Sequence, residues 1–125
     1  MKTIAIGCSM KYRSLVRETV EALTVLRLKP IFPNLDYSHE NEDKADTPGE
    51  KKRLALEHYK AIDKADIVYL ITPNGYMGTS CKLELGYALA KNKTIYFSEP
   101  TNDPALDCYV EKFISIDSLE EFLDK

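Results

Sequence analysis

A short apolar run, followed by a glycine-containing loop and a helix, constrains the fold of this chain more than any other feature. Residues 67–71 (Ile-Val-Tyr-Leu-Ile) are uninterruptedly apolar, which is typical of a strand buried on both faces of a parallel sheet. The loop after it contains Gly75 and Gly78, and a helical pattern begins at about Lys82. A strand, such a loop and a helix start together form a binding site for an anionic or polar ligand.

The alternation of strand and helix patterns extends along the chain. The patterns predict strands at 2–6, 31–35, 66–71, 94–97 and 113–116, and helices at 14–29, 47–64, 82–91 and 118–123. Because the connections are short, we expect an α/β fold with a parallel sheet of about five strands and helices on both faces. The chain has 125 residues and no recognisable linker, so we expect one domain over residues 1–125.

Composition argues against several classes of partner. The 20 acidic residues outnumber the 17 lysines and arginines, and this net charge of −3 argues against nucleic acid as a partner. The three cysteines have neither disulfide-framework nor metal-ligand spacing. No run of 18 apolar residues occurs, and the first apolar segment is too short for a signal peptide. We therefore expect no metal, no membrane partner and a cytoplasmic location.

Ligands of open parallel sheets bind beyond the carboxyl ends of the strands, so loops 7–13, 36–46 and 72–80 are candidates. The expected substrate-binding residues in the first and third of these loops are Gly7, Cys8, Ser9, Gly75, Tyr76, Gly78, Thr79 and Ser80. Glycines let the backbone approach a ligand closely, hydroxyls hydrogen-bond to it, and Tyr76 can stack on a base. Two structural alternatives stay open: Thr79 or Ser80 caps the helix, and Tyr76 is a partly exposed loop residue.

Glu84 is the candidate nucleophile. We place it near the first turn of the helix after the 72–80 loop, where the helix dipole and free amide groups favour an ionised carboxylate. Attack on the anomeric carbon of a sugar requires such a carboxylate. A glutamate is also favourable in the first turn of any helix, so a purely structural role is the alternative.

His58 is the second candidate catalytic residue. It lies on the apolar stripe of its helix, one turn from Leu54 and Ile62, where a histidine is usually part of the core. It also falls in the last two turns before the 66–71 strand, so topology alone places it away from the carboxyl ends of the strands.

Three segments carry a resemblance to the nucleoside 2-deoxyribosyltransferase family. They are Ala65–Ile71, the pair Gly78-Thr79, and Glu84-Leu-Gly-Tyr-Ala88, and the likeness extends from the first strand to Phe97. The resemblance implies a flavodoxin-like three-layer sandwich and a homo-oligomer, a dimer or larger. It also implies cleavage of the N-glycosidic bond of a (deoxy)nucleoside or nucleoside 5'-monophosphate, through a covalent glycosyl intermediate on Glu84. The sugar then passes to another base or to water.

The resemblance also assigns roles to other residues, and the chain departs from the family at two positions. Ser80 matches a hydroxyl that contacts the phosphate in relatives that hydrolyse 5'-monophosphates. Ala5 replaces a first-strand tyrosine that contacts the nucleophile. His58 replaces an aspartate that assists the leaving base, and a histidine can also serve as a general acid.

Two alternative functions stay open. The segment Pro73–Thr79 loosely resembles the Pro-Gly-Gly-x-Gly-Thr loop of phosphoribohydrolases, although Glu84 stands alone where that group has two glutamates. The replacements at Ala5 and His58 instead favour a nucleotide-binding or sensing module without turnover. None of these functions requires a metal or an organic cofactor.

Overall fold

The computed structural model describes residues 3–8, 12–25, 29–31 and 48–119. The strands are β1 (Thr3–Gly7), β2 (Lys29–Ile31), β3 (Ile67–Leu70), β4 (Thr94–Phe97) and β5 (Lys112–Phe113). The helices are α1 (Arg13–Val25), α2 (Pro48–Lys64), α3 (Thr79–Ala90) and the short α4 (Pro104–Asp107), with 3₁₀ turns at Pro73–Gly75 and Ile116–Ser118.

The strands form one sheet in the order β2-β1-β3-β4-β5, and every neighbouring pair is parallel. β5 contributes only two residues at one edge, so the other four strands form the body of the sheet. This is the flavodoxin-like order, in which the chain leaves β1 toward one edge and β3 toward the other. The predicted α/β class with a parallel sheet is confirmed, and the switch point of the topology lies between β1 and β3.

Alternating strand residues supply two separate cores, one on each face of the sheet. The first face carries Ala5, Val68 and Leu70 and is covered by α2 and α3 through residues such as Ile62 and Leu85. The second face carries Ile4, Ile6, Ile67, Tyr69 and Ile71, and it packs against Val16 of α1 and the C-terminal residues Ile114 and Leu119. The molecule therefore has three layers, as the resemblance implied.

Several element boundaries differ from those predicted from the sequence. Helix α3 begins at Thr79, three residues early, because the carbonyl of Gly78 already accepts the amide of Lys82. The short α4 was not predicted, and it begins where the side chain of Asp103 accepts the amide of Ala105. Strand β5 covers Lys112–Phe113, whereas a strand was predicted at 113–116, and a 3₁₀ turn begins at Ile116.

Some predictions lie outside the described residues, including Ser9, the 36–46 loop and most of the helix at 118–123. Within the described ranges, no helix has the length and apolar character needed to cross a membrane.

Candidate active site

The imidazole of His58 and the carboxylate of Glu84 meet on the first face of the sheet. Nε2 of His58 lies 3.4 Å from Oε2 of Glu84, and the two side chains are only 7% and 13% exposed. His58 comes from α2 and Glu84 from α3, two helices that pack side by side over β1 and β3. The structure thus brings together the two residues proposed from the sequence as catalytic.

Gly7 forms the floor beneath this pair. It is the last residue of β1, and its carbonyl accepts the amide of Ile71 after β3. A Cβ atom at Gly7 would lie 2.6 Å from Oε2 of Glu84 and 2.5 Å from Cδ2 of Leu70. Since real Cβ atoms do not make such contacts, only glycine lets the carboxylate lie against the strand backbone.

Two expectations about this pair need correction. Glu84 is the sixth residue of α3 and lies in its second turn, beyond the first-turn positions where the dipole acts most strongly. His58 was expected far from the carboxyl ends of the strands, yet it lies beside Gly7. Helical side chains tilt toward the helix N-terminus, and α2 runs antiparallel to the strands, so its N-terminal direction points toward their carboxyl ends.

The charge of Glu84 controls the ionisation of its neighbours. Burial lowers the pKa of His58, but the nearby Glu84 carboxylate opposes this, chiefly through its charge. The net result is a His58 pKa above 6.5. The pKa of Tyr59, the next residue in α2, is raised by burial and then by the charge of Glu84. The charge of Glu84 therefore favours the protonated form of the His58 imidazole.

The facing atoms of the pair are not fully satisfied. Nε2 of His58 and Oε2 of Glu84 are both buried, and among the described residues neither has a well-aligned hydrogen-bond partner. Buried polar atoms without partners are costly, and they concentrate where a ligand or catalytic function requires them. This pair is suited to receive a polar ligand at the carboxyl end of β1.

The loop between β3 and α3 contributes a second set of predicted residues. Gly78 occupies the N-cap position of α3 with an extended backbone, so neither Thr79 nor Ser80 caps the helix as one alternative held. Thr79 is exposed and Ser80 half-buried, and both stand at the start of the helix. The half-buried Tyr76 packs its ring 5.7 Å from that of Tyr12, which follows β1.

Cys8 differs from the other predicted site residues in the direction of its side chain. It follows Gly7 directly, but it packs in the second core with Ile6 and Val16, on the far side of the sheet from Glu84. Its Sγ atom donates to the carbonyl of Tyr12 at 3.8 Å. Of the two residues, only Gly7 therefore lies beneath the pair of Glu84 and His58, and the Cys8 side chain lies in the second core.

Three residues around the loop were not among the predicted site residues: Tyr12, Thr72 and Glu99. No local sequence pattern indicates a role for Tyr12, because its ring contacts Tyr76, which is distant in the sequence. Thr72 carried a usable signal as the first polar residue after a buried strand, and it is fully buried. Glu99 lies outside the three candidate loops, and its carboxylate accepts the amide of Asn74. No group of three or more potential metal ligands occurs within the described ranges.

Comparison with known proteins shows what this fold resembles. The sequence matches no protein-family model and no curated protein. Among solved structures, it is similar to a 2-deoxyribosyltransferase from Bacillus psychrosaccharolyticus, with a TM-score of 0.70 and 16% identity over 94% of this chain and 90% of that chain. A CMP N-glycosidase from Clostridium botulinum matches with a TM-score of 0.60 and 14% identity over 98% of both chains. The fold is therefore that of nucleoside 2-deoxyribosyltransferases.

Proposed function

We propose that this protein cleaves the N-glycosidic bond of a (deoxy)nucleoside or nucleoside 5'-monophosphate and passes the sugar to another base or to water. The buried contact between Glu84 and His58 at the end of β1 is the observation that carries the proposal. It places a carboxylate and a potential acid together at the topological switch point, where ligands of such sheets bind. The shared fold supports the same chemistry, since its neighbours include a deoxyribosyltransferase and a CMP N-glycosidase.

The reaction takes two displacements. A carboxylate oxygen of Glu84 attacks C1' of the sugar, the C1'–N bond breaks, and its electron pair leaves with the base. The departing base takes a proton, and a glycosyl ester remains on Glu84. A second base or a water molecule then attacks C1' and gives its proton to the now neutral His58, the ester bond breaks, and Glu84 regains its negative charge. Two inversions give net retention at C1'.

His58 supplies the proton for the first displacement. Burial disfavours its cationic form, and the charge of Glu84 favours it. When Glu84 becomes an ester, that charge disappears while the burial remains, so the pKa of His58 falls. The imidazole therefore becomes a stronger acid as the base departs, which couples proton transfer to nucleophilic attack.

The surrounding backbone would hold the rest of the substrate. Gly7 provides the floor of the sugar site, and the start of α3 offers Gly78, Thr79 and Ser80 to a sugar hydroxyl or a phosphate. In this proposal, the ring of Tyr76 packs against the base and Gly75 gives the loop its tight turn. No metal or organic cofactor takes part.

A panel of nucleosides and 5'-monophosphates, each with and without a second free base, tests the proposal. Chromatography would detect released or exchanged base, and mass spectrometry after acid quenching would detect a glycosyl adduct on the protein. We expect turnover by the wild type and none by Glu84→Gln. Glu57→Gln is the matched control, because Glu57 is an exposed carboxylate on α2 paired with Arg53. Turnover that persists in Glu84→Gln would contradict the assigned nucleophile.

One observation favours a binding module without turnover as a second candidate. Ala5 is fully buried on the same face of the sheet as Gly7, so the strand position next to Gly7 on that face offers no hydroxyl to orient Glu84. Calorimetry with the same panel separates the two candidates. Saturable binding of a nucleotide with no product after long incubation would establish the binding module.

A further inference from the structure

The turn at Asn74 and Gly75 presses the β3–α3 loop onto the segment that follows β4. Both residues have left-handed backbone conformations, with φ of 53° and 82°. A Cβ atom on Gly75 would lie 2.9 Å from the carbonyl oxygen of Pro100. Asparagine tolerates this conformation better than other residues with a side chain, so both residues suit a tight turn at this point.

Hydrogen bonds to Glu99 hold the turn. Oε2 of Glu99 accepts the amide of Asn74 at 3.1 Å. The buried hydroxyl of Thr72 donates to the Glu99 carbonyl at 2.7 Å and accepts the Glu99 amide at 3.0 Å. The amide of Thr72 in turn donates to Oγ of Ser98 at 2.7 Å. The backbone of Glu99 is thus fixed on the end of β3, and its side chain reaches forward to the turn.

The other end of the loop is anchored in the core. Met77 is buried in the same cluster as Leu85 of α3, next to the start of that helix. Tyr76 lies between this anchor and the Glu99 contact, and its amide donates to the carbonyl of Pro73 at 2.9 Å. Its ring meets that of Tyr12 across the point where the chain leaves β1 and β3. The position of this ring therefore depends on both anchors.

We propose that Glu99 is a positioning residue, which holds the Asn74–Gly75 turn so that Tyr76 and the start of α3 face the substrate. This inference rests on the proposed function. Glu99 touches neither Glu84 nor His58 in this role, so it acts on substrate binding through the loop and leaves the chemical step unchanged.

Three variants test the role of Glu99. Glu99→Ala removes the acceptor for Asn74, whereas Glu99→Gln keeps an oxygen that can accept the same amide. Glu18→Ala removes an exposed carboxylate from α1 as the matched control. One lost hydrogen bond of this kind raises KM about fivefold in Glu99→Ala, while kcat changes less than about twofold. Glu99→Gln restores most of the KM, and Glu18→Ala leaves both constants unchanged.

Hydrogen exchange gives a readout that does not depend on activity. The amide of Asn74 donates to Glu99, and the amides of Gly75 and Tyr76 donate to the carbonyls of Thr72 and Pro73. We expect all three amides to exchange faster in Glu99→Ala but not in Glu18→Ala. Unchanged exchange at these amides, or an unchanged KM despite faster exchange, would overturn the positioning role. If the wild type cleaves no substrate of the panel, the proposed function fails, and the exchange rates alone decide whether Glu99 holds the loop.

Discussion

Nε2 of His58 lies 3.4 Å from Oε2 of Glu84, and both atoms pack closely against the backbone of Gly7. Burial opposes the protonated imidazole, and the carboxylate of Glu84 favours it. Removing the Glu84 carboxylate should therefore lower the pKa of His58.

The first prediction concerns the pKa of His58. In the wild type it titrates above 6.5, and in Glu84→Gln it titrates below 6.5, because burial then acts without the opposing charge. The sequence has only two histidines, so an NMR titration resolves His58 from His39. Titration of His58 at the same pH in both proteins would contradict a direct interaction.

The same shift predicts opposite pH dependences of stability. A raised folded pKa stabilises the wild type below the unfolded pKa, and this contribution is lost as the pH rises through the folded pKa. In Glu84→Gln the folded pKa of His58 is lowered, so His58 destabilises the folded protein at low pH. This destabilisation disappears as the pH rises, and stability therefore increases with pH. The urea midpoints of both proteins, measured as a function of pH across the unfolded and folded pKa values of His58, test this difference. The same pH dependence of the midpoint in both proteins would argue against it.

The second prediction concerns the pH dependence of catalysis. Because His58 must be protonated to act as the acid, kcat/KM of the wild type falls as the pH rises through its raised pKa. His58→Gln loses this alkaline limb and is slower by about 100-fold, the usual contribution of a general acid. Glu57→Gln, which changes an exposed carboxylate on α2, is the control and should keep the wild-type profile. An alkaline limb that survives in His58→Gln would assign it to another group.

Strand and helix identity were predictable because they depend on local sequence. The apolar run before Thr72 forms β3, and the pattern at Thr94–Phe97 forms β4 with the predicted bounds. The contact of His58 with Glu84 was not predictable from topology, because it depends on the tilt of side chains along α2. The role of Glu99 depends on where one loop lies on another, a tertiary relationship with no local signal.

The third prediction is that Gly7→Ala disables the site. The added methyl group would lie 2.6 Å from Oε2 of Glu84 and 2.5 Å from Leu70, so the carboxylate must move. A displacement of this size lowers kcat/KM by about 100-fold, and the overpacking costs about 1–3 kcal/mol of stability. Kinetics and urea unfolding of the same protein measure both effects. Normal kcat/KM in a folded Gly7→Ala protein would show that Glu84 does not act from this position.

The fourth prediction contrasts two glycines at which alanine has opposite effects on stability. At Gly86, in the middle of α3, no described atom beyond the helix backbone lies within 4 Å of an added Cβ. Alanine there should stabilise the protein by about 0.5–1 kcal/mol, because glycine has the lower helix propensity. At Gly75, the left-handed φ of 82° and the carbonyl of Pro100 make alanine destabilising by about 2 kcal/mol.

Urea unfolding of Gly86→Ala and Gly75→Ala, measured together, provides an internal control, since both add a single methyl group. Gly75→Ala should also raise KM in the direction of Glu99→Ala, because both changes disturb the same turn, whereas Gly86→Ala should leave KM unchanged. If Gly86→Ala instead destabilises the protein, its Cβ meets a surface other than the described residues of this chain. A dependence of that loss on protein concentration would then identify the surface as a second copy packed on α3.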